Sequence, residues 1–565
     1  MTSEIRFGFL DTLDMKYKER VVATVITTLL VLVTVIIYNN DTTRRSLLLL
    51  EDGVQCHAHN SYMTADWRVE SIYNDLNFTV NKSNGLYYVI EKPDFKKTTT
   101  LFFEPLKIIV VPHSHNDPGW LWTFEDYYTI RTRQILTNTV TALKRYPDFR
   151  MIWTETVFLE RWWKESSESL RSDFRNLVKS GKIEILSGGW VSVDEATTHY
   201  TAVLDQLIEG HLWLKEHLGV YPNISWSIDP FGYSASLPYL WKKAGMKNMA
   251  ILRIHGAVKG YMGNRKMLTY QWRQPWDTNG DHDILCHVEP YTLYNIECSC
   301  GPDTEICKVL DFSRVGSFPD DGIIYFGENR KAKNFEEFAG LVVEQYKTKA
   351  SLYNHNVILM PHGDDFRYIE DYEIALNYKN MKRLMDYVNS RKDWNVKMKF
   401  GTVADYFETL HSEMRKSNTK VVSLTGDFFT YTDKENDYWS GYFTTRPFDK
   451  RMIRELLEYL KTTETMASLI FVYLIQNKHV TPSNWTNDWK AIQFARRTHG
   501  LVQHHDAITG TSTASTVMDF EVRVHEAIRA LMDVLKKHIT NVLMPGSNTN
   551  VPELKITREF SSPTN

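Results

Sequence analysis

Short apolar runs that alternate with longer helical segments constrain the fold of this chain more than any other feature. The segments between the runs, such as residues 139–145 and 170–179, carry apolar residues at three- and four-residue steps, the period of an amphipathic helix. Strands that alternate with helices predict a parallel sheet, which we expect to close as a barrel. The runs that we interpret as strands are residues 108–111, 151–153, 183–186, 224–228, 249–252, 323–326 and 357–360.

The pattern changes near residue 427. Residues 452–467 and 520–543 keep the helical period without intervening strands, which predicts a helical bundle after the α/β body. We therefore divide the chain into a cytoplasmic tail, a membrane anchor, a stem, an α/β body, a helical bundle and a flexible tail. Their predicted ranges are 1–20, 21–38, 39–104, 105–425, 426–545 and 546–565.

The anchor prediction rests on residues 21–38, which run for eighteen residues without a charge. This is about the minimum length that spans a bilayer as a helix. More basic residues precede the run than follow it closely, which favours a cytoplasmic N-terminus and a lumenal body. The basic residues before it are Arg6, Lys16, Lys18 and Arg20, and those after it are Arg44 and Arg45.

Charge and cysteine content limit the partners. The 66 basic and 69 acidic residues give a formal charge of -3, which supplies no field for a phosphate backbone, so we exclude nucleic acid. Cys298, Cys300 and Cys307 cluster in one loop, where a disulfide between Cys300 and Cys307 is the favoured pairing. A zinc site there is the weaker reading, because the loop lacks paired C-x-x-C spacing.

A pair of metal-binding residue types follows the first apolar run. Side chains of an extended backbone repeat every second residue, so His115 and Asp117 point the same way at the end of a buried strand. A nitrogen and an oxygen ligand together suit zinc.

Further carboxylates end other apolar runs. Asp229 follows residues 224–228, and Asp364 and Asp365 follow the run at 357–360. A buried carboxylate requires a cation, a hydrogen-bond donor or a substrate, although each one alone is more often a helix cap or a salt-bridged loop residue. His505, far along the chain, would complete a His, Asp, Asp, His set with His115, Asp117 and Asp229. Spacing alone does not prove this set.

Six motifs carry a resemblance to the class II α-mannosidases, glycoside hydrolase family 38. They are PHSHNDPGW at 112–120, WSIDPFG at 226–232, GDDFRY at 363–368, GDFFTY at 426–431, YWSGYFTTRP at 438–447 and QHHDAITGT at 503–511. The resemblance spans roughly residues 105–545, and the anchor makes the chain similar to the Golgi branch. It implies a seven-stranded parallel β/α barrel, a three-helix bundle and one zinc ion at their junction.

The resemblance also implies roles for individual residues. The zinc ligands would be His115, Asp117, Asp229 and His505, and Asp229 would also be the nucleophile. Asp365 would be the general acid and base. The residues that bind the sugar would be Trp120, Phe231, Arg253, Tyr294, Asp364, Trp439 and Asp506. The implied substrate is α1,3- and α1,6-linked mannose on N-glycans, cleaved by a single-pass type II protein of the Golgi membrane.

The mechanism of retaining glycosidases requires two carboxyl groups in different protonation states, and the expected surroundings of Asp229 and Asp365 favour such a difference. A retaining glycosidase uses one carboxylate as nucleophile and a protonated partner about 5 Å away as acid and then base. Zinc beside Asp229 would keep it ionised, while Asp365, shut away from water near another carboxylate, would hold its proton toward neutral pH.

Two alternatives stay open. A metal-dependent carbohydrate deacetylase also uses His and Asp ligands on a β/α barrel, but it leaves the paired carboxylates unexplained. An inactive glycan-binding membrane protein follows from the absence of the β-rich domains that continue full-length family members beyond the bundle. A homodimer is a further open expectation.

Overall fold

The computed structural model describes residues 65–76, 104–319, 322–433, 437–476 and 485–543. Within these residues the strands are β1 Trp67–Arg68, β2 Leu106–His115, β3 Met151–Trp153, β4 Ile183–Ile185, β5 Ile224–Ser227, β6 Asn248–Ile251, β7 Thr269–Arg273, β8 Ile284–Val288, β9 Ile324–Phe326, β10 Arg330–Ala332, β11 Val357–Asp365, β12 Val396–Phe400 and β13 Ser423–Thr425.

The α-helices of the described residues are α1 Val69–Asp75, α2 Phe124–Tyr127, α3 Arg133–Arg145, α4 Thr156–Glu165, α5 Glu168–Lys179, α6 Tyr200–Leu218, α7 Ser236–Lys243, α8 Gly256–Asn264, α9 Ile296–Ser299, α10 Thr304–Lys308, α11 Phe312–Val315, α12 Phe335–Ala350, α13 Asp371–Ser390, α14 Val403–Ser417, α15 Pro447–Gln476, α16 Thr486–Leu501 and α17 Ala514–Leu543. The described residues from 65 to 534 form one compact unit, and the described part of a second unit is residues 535–543.

The strands pair mainly in parallel. β2 lies between β11 and β12 in a parallel three-stranded sheet, and β3 pairs in parallel with β4. A six-stranded sheet has the order β1-β13-β7-β8-β6-β5, in which only the β7 and β8 pair is antiparallel. The predicted parallel α/β sheet is thus confirmed.

Both faces of the central strands are buried, as expected for parallel strands in an α/β protein. Along β2, Ile108 and Val110 join the large outer core, while Ile109 and Val111 join a smaller inner core. The inner core takes alternate residues from β2, β3, β5, β6, β8 and β11. The period of two therefore divides the side chains of these strands between two hydrophobic cores.

Helix ends follow local signals in the sequence. Thr402 and Asp405 form a reciprocal capping box at the start of α14, and Gly219 ends α6 with a left-handed φ of 70°. The box satisfies backbone N–H groups that the first turn leaves unpaired, and glycine adopts the left-handed conformation without a steric penalty.

The structure corrects part of the strand prediction. The run at 323–326 forms β9, but β9 pairs antiparallel with β10 in a two-stranded sheet outside the parallel ladders. Strands β1, β7, β8, β10, β12 and β13 were not predicted. The seven-stranded closed barrel, the three-helix bundle and the domain limits remain predictions, although long helices do fill the described part of the bundle region as α15, α16 and α17.

The structure contradicts the predicted Golgi membrane location as far as its described residues extend. Among the residues that the structure describes, no helix combines the length and apolar character needed to cross a bilayer. The run at 21–38, on which the type II anchor prediction depended, lies outside the described residues.

The cysteine loop agrees with the sequence prediction. Cys300 and Cys307 form a disulfide, whereas Cys298 is a free, partly buried thiol.

Candidate active site and metal centre

The ends of β2 and β11 place the first candidate residues side by side. The parallel register pairs His115 with Asp365 and Ser114 with Asp364. The backbone N–H of Phe366 then donates to the carbonyl oxygen of His115 at 2.7 Å, which continues the contact past the last strand residue. The carboxyl ends of two neighbouring strands thus present an imidazole and a carboxylate at one edge.

Four buried side chains converge there. His115 Nε2 lies 2.8 Å from Asp117 Oδ1 and 3.4 Å from Asp229 Oδ2. His505 Nε2 lies 3.3 Å from Asp117 Oδ1 and 3.1 Å from Asp229 Oδ2. One ligand atom of each residue lies within 4.8 Å of every other, so we call these four the metal cluster.

The spacing of the metal cluster fits a small tetrahedral ion. Zinc binds imidazole nitrogen and carboxylate oxygen at about 2.0–2.2 Å, which separates neighbouring ligands of a tetrahedron by about 3.3–3.6 Å. The four separations given above run from 2.8 to 3.4 Å. Two imidazoles and two carboxylates are also a donor set that zinc accepts. The residues present therefore fit zinc.

A backbone pairing brings His505 to the cluster from a distant part of the sequence. Val193 and His504 form an antiparallel bridge, and the N–H of Asp194 donates to the carbonyl oxygen of Gln503 at 3.1 Å. His505 Nδ1 lies 2.9 Å from the carbonyl oxygen of Ser192. Because a carbonyl oxygen only accepts, Nδ1 carries a proton, and Nε2 faces the cluster.

The two oxygens of Asp229 have different partners. Oδ2 faces the imidazoles, whereas Oδ1 accepts two hydrogen bonds from Arg253, one from Nε at 2.7 Å and one from Nη2. The guanidinium also donates from Nη1 to the hydroxyl of Tyr431 at 3.2 Å. The rings of Phe231, Tyr431 and Trp439 surround its Cζ at 5.6–5.7 Å. The predicted residues Arg253, Phe231 and Trp439 thus form one group beside Asp229.

The environment separates the pKa values of the two central carboxyls. Burial alone would raise the pKa of Asp229, but the charge of Arg253 and hydrogen bonds from His115 and His505 hold it well below its usual value. Burial, together with the charges of Asp117 and Asp229, raises the pKa of Asp365 to about 7.

One hydroxyl partly offsets the shift at Asp365. Tyr294 donates from its hydroxyl to Asp365 Oδ1 at 2.7 Å, and its ring centroid lies 5.1 Å from that of His115. A hydrogen bond to a carboxylate favours the charged form and so lowers its pKa. Tyr294 therefore contacts both Asp365 and His115 of the metal cluster.

The remaining predicted residues lie around this centre in different roles. Asp364 accepts from Arg314 Nη2 at 3.1 Å, and burial raises its pKa. Asp506 accepts from Thr511 and lies 4.0 Å from His505 Nε2. Trp120 is partly buried against the outer core, and its carbonyl oxygen accepts from the N–H of Thr513 at 3.0 Å.

Two buried residues near the cluster were not predicted. His504 is fully buried, and its Nε2 lies 3.6 Å from both Asp117 Oδ1 and Asp506 Oδ2. Glu155 is 2 % exposed, and burial raises its pKa to about 7, while the charges of His115 and His505 lower it. Glu155 follows the run at 151–153 as Asp229 follows its own run, so the same strand-end signal could have identified it.

Residues 105–434 match the family model described as the glycosyl hydrolases family 38 N-terminal domain. The chain belongs to glycoside hydrolase family 38. Residues 437–542 match the alpha mannosidase middle domain. The family assignment predicted from the six motifs is therefore confirmed.

Curated relatives cover most of this chain. Alpha-mannosidase 2 of Rattus norvegicus is 42% identical over 448 residues, which are 76% of this chain and 38% of that protein. Alpha-mannosidase 2 of Drosophila melanogaster is 39% identical over 453 residues, or 78% of this chain and 39% of that protein. The chain thus spans about two fifths of the length of the relatives it matches.

The fold is shared with a solved family member. An alpha-mannosidase from Enterococcus faecalis aligns with a TM-score of 0.54 over 77% of this chain and 42% of that chain. Its sequence identity is 15%, so the likeness concerns the fold alone.

Proposed function

We propose that this chain is a zinc-dependent retaining α-mannosidase. One observation carries the proposal: a buried carboxylate held by an arginine and two imidazoles lies near a second carboxyl whose surroundings favour the protonated form. Retaining glycosidases require these two states together. The alpha-mannosidase 2 relatives support the choice of mannose.

Asp229 is the nucleophile in this proposal. Its carboxylate attacks the anomeric carbon, so a carbon–oxygen bond to Asp229 forms as the bond to the leaving group breaks. Arg253 keeps the carboxylate ionised before attack through its contacts with Oδ1. The product of this half-reaction is a mannosyl ester of Asp229.

Asp365 is the general acid and then the general base. It donates its proton to the leaving oxygen in the first step, and it takes a proton from the attacking water in the second. Tyr294 orients the carboxyl through the 2.7 Å hydrogen bond to Oδ1. A group with a pKa near 7 suits both roles near neutral pH.

His115, Asp117, Asp229 and His505 would hold the zinc ion. When bound, zinc would supply Lewis-acid binding of two neighbouring sugar hydroxyls, which suits the cis 2,3-diol of mannose. Asp364 and Asp506 would accept hydrogen bonds from the sugar, and Trp120, Phe231 and Trp439 would contact its apolar face. The substrates would be α1,3- and α1,6-linked mannoses of N-glycans, as the family resemblance implies.

The test compares two leaving groups on the full chain. Asp229→Ala should lose hydrolysis of both a dinitrophenyl and a methyl α-mannoside. Asp365→Ala should keep release of dinitrophenol, which leaves without a proton, and lose the methyl substrate. Asp277→Asn is a matched control, because Asp277 is a buried loop carboxylate that accepts three backbone N–H groups elsewhere.

Other outcomes would contradict the proposal. Release of acetate from an acetylated sugar, with no mannose released, would favour the deacetylase. Binding of mannosides without turnover would favour an inactive glycan-binding protein. Inverted configuration of the first-formed mannose would exclude the covalent step on Asp229.

A further inference from the structure

The backbone of Ser192 connects a buried glutamate to the metal cluster. Glu155 Oε2 accepts the N–H of Ser192 at 3.1 Å. The carbonyl oxygen of the same residue accepts from His505 twice, from Nδ1 at 2.9 Å and from the backbone N–H at 3.2 Å. Ser192 is therefore fixed on one side by Glu155 and in turn fixes the ring of His505.

Glu155 is itself held rigidly. It lies two residues after the end of β3 and directly before α4, and the indole N–H of Trp153 donates to its carbonyl oxygen at 2.9 Å. A further bond, from the N–H of Val157 to the carbonyl oxygen of Trp190, joins the same two segments at 3.0 Å. The segments around Glu155 and Ser192 are therefore joined by a backbone hydrogen bond that does not involve the Glu155 side chain.

The second oxygen of the Glu155 carboxylate lowers the stability of the folded state. Oε1 is buried and has no hydrogen-bond partner among the described residues. Burial of a polar oxygen without a partner disfavours folding, so the contact of the other oxygen with the Ser192 N–H must outweigh this cost. A role in positioning His505 accounts for the retained carboxylate.

We propose that Glu155 is a positioning residue that, through the backbone of Ser192, sets the tautomer and orientation of the His505 imidazole toward the metal cluster. The inference rests on the proposed function, because it takes His505 as a metal ligand. Partners of this kind, one step removed from the metal, typically change metal affinity by about 10- to 100-fold when they are removed.

The experiment compares three variants of the full chain. Glu155→Leu removes the acceptor at similar volume, and Glu155→Gln keeps an oxygen that can accept the Ser192 N–H. Glu184→Leu is the matched control, because Glu184, in the middle of β4, also accepts a backbone N–H, that of Ala404 at 3.0 Å. Zinc affinity is measured by competition with a chelating indicator.

We expect Glu155→Leu to weaken zinc binding by roughly 10- to 100-fold, while Glu155→Gln and Glu184→Leu stay within about threefold of the parent protein. Unchanged affinity in folded Glu155→Leu would overturn the inference. Equal losses in Glu155→Leu and Glu155→Gln would also overturn it, since charge rather than the hydrogen bond would then matter.

A second measurement needs no metal. In zinc-free protein, hydrogen exchange at the amides of Asp194 and His505 reports the pairing of the two segments directly. Faster exchange in Glu155→Leu, but not in Glu155→Gln, supports the positioning role, and equal exchange in all variants refutes it. Failure of the parent protein to bind zinc or cleave mannosides would instead contradict the proposed function, so the two failures are distinguishable.

Discussion

Replacing Lys349 by methionine should destabilise the protein far more than the same change two residues earlier. Lys349 lies in α12 and is fully buried. Its ammonium donates to Glu289 Oε2 at 2.7 Å and to the carbonyl oxygens of Ser299 and Leu359 at 3.1 and 2.6 Å. All three donor hydrogens of the ammonium are thus used, and they join α9, β11 and the residue after β8.

The expected loss of stability follows from the buried negative charge of Glu289, which remains in the Lys349→Met variant. Among the described residues, Lys349→Met leaves the carboxylate of Glu289, which is 2 % exposed, with His287 Nε2 at 3.0 Å as its one remaining partner. Removal of one partner of a buried ion pair costs about 3–5 kcal/mol of unfolding free energy. Lys347→Met removes an exposed pair with Glu344 and should cost at most about 1 kcal/mol.

Urea titration of both variants measures the difference. If Lys349→Met lies within about 1 kcal/mol of Lys347→Met, the assignment of a buried charge pair is wrong. The double variant Lys349→Met with Glu289→Gln is the internal check. It should recover at least about 1 kcal/mol, because the unpaired charge is gone.

Three further predictions concern pH, close backbone contact and metal. Burial raises the pKa of Glu195 from 4.5 to about 8, so the folded state keeps a proton that the unfolded state releases, and stability should fall as pH rises from 4.5 to 8. The shift corresponds to roughly 5 kcal/mol of unfolding free energy. The melting temperature of Glu195→Gln should therefore change less between pH 4.5 and 8 than that of the parent protein. An equal change with pH in both proteins would contradict this prediction. Gly210→Ala would place a Cβ 2.1 Å from the carbonyl oxygen of Gly188 and should lower the melting temperature. Gly260→Ala meets nothing within 4 Å in its helix and should raise the free energy of unfolding by about 0.5–1 kcal/mol. If both substitutions change stability in the same direction, the described packing around these glycines is wrong. Zinc at 100 times its dissociation constant should stabilise the folded chain by about 2.7 kcal/mol over chelated protein, and an unchanged melting temperature would argue against the metal cluster.

Features set by local sequence were predictable. His115, Asp117, Asp229 and Asp365 were found because an apolar run, a period of two and a following turn are all visible within about ten residues. The same rule extends to Glu155 and to Arg253, which follows β6, although Arg253 was predicted only through the family resemblance.

Features that depend on pairing across the chain were not predictable. The contact between His505 and Ser192 joins residues 313 apart, and it depends on an isolated bridge that leaves no periodic pattern. Strands β7 and β8 were not predicted, and their antiparallel pairing also leaves no signal in the local sequence. Buried parallel and antiparallel strands share the same apolar composition, so the direction of pairing is set by the connection.

The different partners of the two central carboxyls explain how neighbouring aspartates could take opposite roles. Asp229 and Asp365 both lie in poorly hydrated surroundings, so burial pushes both pKa values upward. Asp229 receives a guanidinium on one oxygen and imidazoles on the other, whereas Asp365 receives a neutral hydroxyl from Tyr294. Ionised Asp229 then adds its own negative charge to the surroundings of Asp365. The charge of Asp229 therefore favours the protonated form of Asp365 and opposes the effect of His115, whose charge lowers the pKa of Asp365.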